Sequence, residues 1–144
     1  MNNRYICKAK RKDNGEWVEG YLYITHNGEY EISRYDEELD TERITYIVIP
    51  ETVVRCTGLK DKNGKLIFEG NVVKLTDNNT EWTAYVVLGN PYGEYNWGWN
   101  LMYIGENPKV NTDILLWVEM EETGAYCEVI GNIHDNRELL EVER

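Results

Sequence analysis

The chain has 144 residues, 42% of them hydrophobic, and a formal net charge of −11 at pH 7. This length corresponds to one domain or two small ones, and folding at this size requires neither a disulfide nor a metal. The longest apolar run, residues 114–118, is too short to cross a membrane, and the polar first residues predict no signal peptide. The only serine, Ser33, lies outside any G-x-S-x-G motif, which excludes a hydrolase of that type.

The composition favours strands over helices. Valine, isoleucine, threonine and the aromatic residues account for 50 of the 144 residues, whereas alanine occurs only 3 times. Stiff β-branched and aromatic side chains suit a pleated sheet, and alanine is the strongest helix former. The predicted strands are, in chain order, residues 4–9, 16–25, 29–33, 43–49, 65–68, 72–75, 82–88, 94–104, 114–120 and 126–133. Residues 136–143 are predicted to form one helical turn.

Glycine and proline mark the connections between these strands. Three Asn-Gly pairs, Asn14-Gly15, Asn27-Gly28 and Asn63-Gly64, predict tight turns or hairpins because both residues accept a positive φ. Pro50 is expected to end the fourth strand, since proline cannot donate a hydrogen bond to a ladder. Residues 50–70 are therefore predicted to connect two β units.

The cysteines and histidines suggest no catalytic or metal centre. Cys7, Cys56 and Cys127 are far apart and form no C-x-x-C motif, which excludes a zinc ribbon and a redox dithiol. We expect reduced, mostly buried thiols in a cytoplasmic protein. Cys127 and His134 could act as a catalytic pair only if they lie within hydrogen-bond reach of each other. We expect Cys127 to be a core residue instead. The acidic runs are interpreted as solvated, so we expect no catalytic residue, no metal and no cofactor.

Charge is distributed unevenly along the chain. Residues 75–144 contain 3 basic and 13 acidic side chains, whereas Lys8, Lys10, Arg11 and Lys12 form a basic cluster near the N-terminus. Nucleic-acid affinity depends mainly on neutralising phosphates, so we expect no binding to double-stranded DNA. An acidic surface instead favours the approach of a basic protein.

An alternating aromatic segment provides the candidate binding residues. Tyr95, Trp97, Trp99, Leu101 and Tyr103 occupy every second position and therefore share one face of a strand. One interpretation is a core face. The other is an exposed platform for a partner, with Tyr95, Trp97, Trp99 and Tyr103 as its binding residues, because tyrosine and tryptophan favour interfaces.

Three stretches of the chain resemble one known family. V-I-P-E-T-V at residues 48–53, T-G-L-K-D-K-N-G-K at 57–65 and I-F-E-G-N-V-V at 67–73 are similar to the core signature of the YopX family of phages and prophages. Residues 9–22 resemble the opening of that family, and residues 128–133 resemble its ending. Asn71 stands where the family usually has aspartate. The resemblance implies a mostly β protein with an SH3-like C-terminal part and no established activity.

These observations give one expected organisation and two functional hypotheses. We expect an N-terminal β-hairpin unit, residues 1–58, and an SH3-like small β-barrel, residues 59–144, with minimal helix. The first hypothesis is a phage accessory protein in the cytoplasm of a bacterial host, a non-enzymatic binding module whose partner is a basic host or phage protein. The second is a nucleic-acid-associated protein that binds through the basic cluster and the barrel, an inference by fold analogy alone.

Overall fold

A computed structural model describes residues 5–35, 43–89, 98–105, 111–118 and 125–141, mostly as antiparallel strands, which confirms the predicted β class. The strands in these ranges are β1 Cys7–Lys10, β2 Trp17–Ile24, β3 Tyr30–Tyr35, β4 Arg43–Ile47, β5 Val54–Lys60, β6 Leu66–Phe68, β7 Asn71–Asp77, β8 Thr80–Leu88, β9 Trp99–Tyr103, β10 Asn111–Asp113 and β11 Ala125–Asn132. One helical turn, α1, covers Leu115–Val118, and short 3-10 turns cover Pro50–Thr52 and Arg137–Leu140. No helix in the described ranges is long and apolar enough to cross a membrane.

The strands form two antiparallel sheets. The first has the order β4-β3-β2-β1-β5-β6, and the second has the order β10-β9-β8-β7-β11. The chain divides into two compact units, Met1–Cys56 and Thr57–Arg144, and the division falls within β5. The described strands of the second sheet do not close into the barrel that the sequence predicted. β10 has only three residues and leads directly into α1, and among the described strands it is the last in the order of this sheet.

The Asn-Gly pairs form the predicted turns. Asn14-Gly15 lies between β1 and β2, Asn27-Gly28 lies between β2 and β3, and Asn63-Gly64 lies between β5 and β6. Gly64 has a φ of 79°, which a residue with a side chain adopts only with strain. Short-range turn chemistry therefore determines which neighbouring strands pair.

The first unit buries one face of its sheet. Ala9, Val18, Ile32 and Val48 are fully or almost fully buried and form its core. They come from four strands or strand ends that are adjacent in the sheet. Within this group, Ala9 on β1 is the cross-strand partner of Val18 on β2. The alternation of buried and exposed residues along β2 follows from this arrangement, because successive side chains point to opposite faces.

The core of the second unit is built from rows of side chains across its sheet. Val129, Val73, Ala84 and Tyr103 are consecutive cross-strand partners on β11, β7, β8 and β9. The buried members of this core are Ile67, Val73, Leu75, Ala84, Val86, Leu101, Ile114 and Cys127. All eight are almost inaccessible to solvent, so the hydrophobic effect stabilises this unit.

Two sequence-based assignments need correction. Residues 50–70 were predicted to be a connector with one strand, at residues 65–68, but they contain β5 as well as β6. Residues 115–118 form the helical turn α1 instead of part of a strand, since the Asp113 carboxylate accepts a hydrogen bond from the Leu115 N–H at 2.9 Å. A short apolar run has the same pattern in a buried strand and in a buried helical turn, so periodicity could not separate them.

The Asp61 carboxylate connects the β5–β6 turn to β11. Its Oδ1 accepts hydrogen bonds from the backbone N–H groups of Asn63 and Lys65, and its Oδ2 accepts one from Val129, each at 2.9 Å. The Lys62 N–H also donates to the Cys127 carbonyl at 2.9 Å. Asp61 is only 6% exposed, and its hydrogen bonds are part-buried, so removal of the carboxylate costs these N–H groups a charged acceptor.

We predict that Asp61→Ala destabilises the protein by roughly 2–3 kcal/mol, because three part-buried hydrogen bonds from the turn and from β11 lose their charged acceptor. Urea unfolding followed by circular dichroism measures the change. Glu141→Ala, which removes an exposed carboxylate from the same unit, is the matched control and should change the unfolding free energy by less than about 0.5 kcal/mol. Equal stability of the two variants would contradict the structural role of Asp61.

Candidate functional site

The alternating aromatic segment is only partly within the described residues. Tyr95 and Trp97 lie outside them, whereas Trp99 and Tyr103 belong to β9. Trp99 and Tyr103 are half-buried and pack against the core of the second unit, and Leu101 between them is fully buried. The described half of the segment therefore contributes to the core.

The Tyr103 hydroxyl has two hydrogen-bond partners in the second unit. It lies 2.9 Å from the Thr112 hydroxyl and accepts a bond from the Trp117 indole N–H at 3.1 Å. The Trp117 ring also packs edge-to-face against Trp82, with ring centroids 5.6 Å apart. These contacts hold β10 and α1 against the sheet. The Tyr103 hydroxyl therefore has a structural role.

The opposite face of β9 is also covered. Asn100 is fully buried, and its amide N–H groups donate to the Gly89 and Gly98 carbonyls at 2.8 and 3.2 Å. Met102 is 3% exposed. Asn100 and Met102, which alternate with the aromatics in β9, are therefore not on a solvated face.

A different set of aromatic and apolar side chains is exposed, on the first sheet. Tyr21, Tyr23 and Ile47 are 43%, 56% and 44% exposed. Tyr23 and Ile47 are aligned across β2, β3 and β4 through Glu31, and Tyr21 is the next residue on the same side of β2. We call these three residues the aromatic outer face. The sequence places Trp17, Tyr21 and Tyr23 on one face of β2. Because the other face of β2 also contains apolar residues, the sequence alone does not show which face is exposed.

The basic cluster is spread along β1 and the turn that follows it. The ammonium groups of Lys8 and Lys10 each lie 5.5 Å from the centroid of the Trp17 ring. Arg11 forms two hydrogen bonds with the Asp13 carboxylate, at 2.9 and 2.6 Å, which lower the pKa of Asp13 and raise that of Arg11. The ion pair cancels one positive charge of the cluster.

Two grooves lie beside these residues in the first unit. The larger, of about 480 Å³, is lined by Arg11, Lys12, Asp13, Thr45, Tyr46 and Ile47. The smaller, of about 260 Å³, is lined by Tyr21, Leu22, Tyr23, Ser33, Arg34 and Arg43. The Arg11 guanidinium lies 4.4 Å from the Tyr46 ring centroid, so it forms one wall of the larger groove. Both grooves combine aromatic surface with cationic groups.

Cys127 and His134 do not form a catalytic pair. Cys127 is near the start of β11, and His134 follows the end of that strand. The strand between Cys127 and Asn132 alone spans ~17 Å. Burial, followed by the nearby charges of Asp61 and Glu128, raises the pKa of Cys127 to about 12. Within the described ranges, no three histidine, cysteine or carboxylate groups are placed to hold a metal ion, and the acidic run 36–42 lies outside these ranges.

The fold defines a mostly antiparallel β protein of two units, each with its own core. A family model described as YopX protein matches residues 7–141, nearly the whole chain. The chain therefore belongs to the YopX family, which confirms the resemblance carried by residues 48–73. No curated protein matches it at a significant level.

We predict that Tyr103→Phe lowers the unfolding free energy by roughly 1–2 kcal/mol, because the half-buried Trp117 N–H loses its acceptor. Thermal unfolding followed by circular dichroism measures the change in stability. Tyr5→Phe, at a side chain that is 70% exposed, is the control and should leave the melting temperature unchanged. A melting temperature of Tyr103→Phe equal to that of the control would show that the hydroxyl does not stabilise the fold.

We predict that Cys127 does not react with iodoacetamide at pH 8 in the folded protein. The thiolate is the reactive form, and a pKa of about 12 leaves very little thiolate at this pH. Peptide mapping by mass spectrometry measures alkylation at each cysteine, and the half-buried Cys7 provides an internal comparison. All three cysteines should react in denaturant. Rapid alkylation of Cys127 in the folded protein would contradict its buried position.

Proposed function

We propose that this YopX-family protein is a non-enzymatic protein-binding module of phage or prophage origin that acts in the bacterial cytoplasm. The observation that supports this function best is the aromatic outer face of the first unit. Its three residues come from β2 and β4 and present adjacent apolar surface to solvent. Adjacent exposed apolar side chains are a feature of interaction sites, and tyrosine is enriched in them.

The aromatic outer face supports binding better than the described part of the aromatic segment. Trp99 and Tyr103 are in contact with the core of the second unit, so a partner could reach only part of each ring. Tyr21 and Tyr23 expose more of their surface and come from a regular strand, which provides a rigid support. An SH3-like fold of residues 59–144 stays a prediction, and the aromatic outer face belongs to the other unit.

The charge of the chain favours a protein partner over a nucleic acid. Residues 57–144 contain 7 basic and 15 acidic side chains, which repel phosphate. The same charge attracts basic proteins at long range, so the prediction of a basic partner rests on net charge alone.

We predict that the double variant Tyr21→Ser/Tyr23→Ser loses a protein that the wild-type chain captures from a bacterial lysate. The hydroxyl-bearing serine keeps the surface soluble and removes the aromatic contact area. Quantitative mass spectrometry compares the proteins retained by each immobilised variant, and the melting temperature verifies folding. Tyr5→Ser, at an even more exposed tyrosine outside the aromatic outer face, is the matched control. Identical retention by the double variant and the control would refute binding through this face.

We also predict no useful affinity for double-stranded DNA. Lys8, Lys10 and Lys12 could neutralise only a few phosphates, because Arg11 is paired with Asp13. A gel-shift assay at about 150 mM salt tests this expectation, with a random-sequence duplex as the probe. Micromolar or tighter binding that weakens steeply with added salt would make nucleic-acid association the better hypothesis.

A further inference from the structure

The three Asn-Gly turns share a chemical property that the binding function does not use. In an Asn-Gly pair, the glycine amide nitrogen can attack the side-chain carbonyl carbon of the asparagine, because glycine has no side chain to obstruct the attack. Asn14, Asn27 and Asn63 are exposed to solvent, and so is the glycine that follows each of them. The structure of each turn therefore decides which pair reacts.

The N–H group of each glycine is engaged in a backbone hydrogen bond within its turn. The three bonds have similar lengths, 2.9 Å from Gly15 to Arg11, 2.8 Å from Gly28 to Thr25 and 3.0 Å from Gly64 to Asp61. A turn must open locally before its glycine nitrogen can attack, so the rate of reaction follows the population of the open turn. Because all three turns share this bond, their other hydrogen bonds distinguish them.

The turn of Asn27 has the fewest other hydrogen bonds in the described part of the chain. The Glu29 N–H donates to the Thr25 hydroxyl at 3.0 Å, and the Thr25 N–H donates to the Glu29 carbonyl at 2.9 Å. Residues 26–29 are all exposed. Within the described residues, no hydrogen-bond partner is found for the Asn27 side chain, so its amide can rotate toward the Gly28 nitrogen.

The side-chain amide of Asn14 is held at both ends by Glu16. Its Oδ1 accepts a hydrogen bond from the Glu16 N–H at 2.9 Å, and its Nδ2 donates to the Glu16 carboxylate at 3.3 Å. These bonds restrict the rotation that brings the Asn14 carbonyl carbon to the Gly15 nitrogen. A hydrogen bond of ordinary strength changes such an equilibrium by a factor of roughly two to ten. The two bonds therefore protect Asn14.

The turn of Asn63 is held by the buried carboxylate of Asp61. The Asp61 Oδ1 accepts hydrogen bonds from the N–H groups of Asn63 and Lys65, each at 2.9 Å. The Asp61 Oδ2 accepts one from Val129 on β11. Hydrogen bonds to charged groups are stronger than those between neutral groups, so this turn opens least readily.

We propose that Asn27 is a site of spontaneous deamidation in the folded protein, whereas Asn14 and Asn63 are protected by their turns. The Gly28 nitrogen bonds to the Asn27 Cγ atom and loses its proton, while the side-chain nitrogen gains that proton and leaves as ammonia. Water then adds to a carbonyl carbon of the resulting cyclic imide and opens the ring to aspartate or isoaspartate. The reaction requires water but neither an oxidant nor a reductant.

The reaction changes the hairpin that carries the aromatic outer face. Aspartate and isoaspartate each add a negative charge to the turn, and isoaspartate also adds a carbon atom to the main chain between β2 and β3. Tyr23, a member of the aromatic outer face, precedes Asn27 by four residues. Deamidation needs no partner protein, so it is independent of the proposed binding function.

Incubation of the wild-type chain at pH 8 for several weeks, followed by peptide mapping with mass spectrometry, measures the reaction. A protease that cuts after glutamate places the three asparagines in different peptides. Glu16 separates Asn14 from Asn27, and Glu29 separates Asn27 from Asn63. The same incubation in guanidinium chloride gives the rate at each unfolded site. The ratio of the unfolded rate to the folded rate then measures protection by the structure, without the effect of neighbouring residues.

We expect the smallest ratio at Asn27. The ratios at Asn14 and Asn63 should be larger by about fivefold or more, since additional hydrogen bonds hold each of these turns. Asp61→Ala removes the acceptor that holds the turn of Asn63 and should raise the folded rate at Asn63 by about tenfold or more. The rate at Asn27 in the same variant is the internal comparison.

A second variant tests the turn of Asn27 itself. Thr25→Val removes the hydroxyl acceptor of the Glu29 N–H and should raise the folded rate at Asn27 by roughly two- to tenfold. Thr80→Val is the matched control at an exposed threonine of the second unit, and it should leave this rate unchanged. Circular dichroism and the melting temperature establish that both variants fold.

Two outcomes would overturn the proposal. The first is a ratio at Asn14 or Asn63 that is as small as the ratio at Asn27. The second is a folded rate at Asn27 that Thr25→Val leaves unchanged. Lysate capture judges the proposed function separately, because a failure to capture any protein through Tyr21 and Tyr23 would leave deamidation at Asn27 intact.

Discussion

The second unit depends on one buried carboxylate. Asp61 accepts backbone hydrogen bonds from Asn63 and Lys65 within its own turn, and from Val129 on a strand 68 residues later in the chain. A local turn and a distant strand are thereby held by the same side chain. Since β11 pairs with β7 at the edge of the second sheet, this carboxylate connects the β5–β6 hairpin to the sheet that contains the core.

The first unit is organised by a different constraint, the close approach of β2 and β3. A Cβ atom at Gly20 would lie 2.4 Å from the Ser33 carbonyl oxygen, so only glycine allows this register. The register in turn aligns Tyr21 with Ser33 and Tyr23 with Glu31. The exposed position of Tyr21 and Tyr23 is a consequence of the pairing in this sheet. Backbone geometry thus determines which surface a partner can meet.

Aromatic side chains have two different roles in the two units. In β9, Trp99 and Tyr103 fill space around a core whose other members are mostly aliphatic, and hydrogen bonds satisfy the Tyr103 hydroxyl. In β2, Tyr21 and Tyr23 have the same alternating pattern and remain exposed. The pattern places side chains on one face of a strand, but the elements that cover that face are distant in sequence. Solvent exposure of the aromatic rings therefore distinguishes β2 from the core strand β9.

The sequence by itself determined the β class, the YopX family and the three Asn-Gly turns, because composition, a long motif and turn chemistry act over short distances. Most strands were also predicted within a few residues. Only the tertiary structure showed β5 inside the expected connector and replaced part of the strand predicted at 114–120 with α1, where Asp113 caps the turn. It also showed that both faces of β9 are covered and that Tyr21, Tyr23 and Ile47 are exposed on the first sheet. These features depend on pairing between distant residues, which local pattern does not encode.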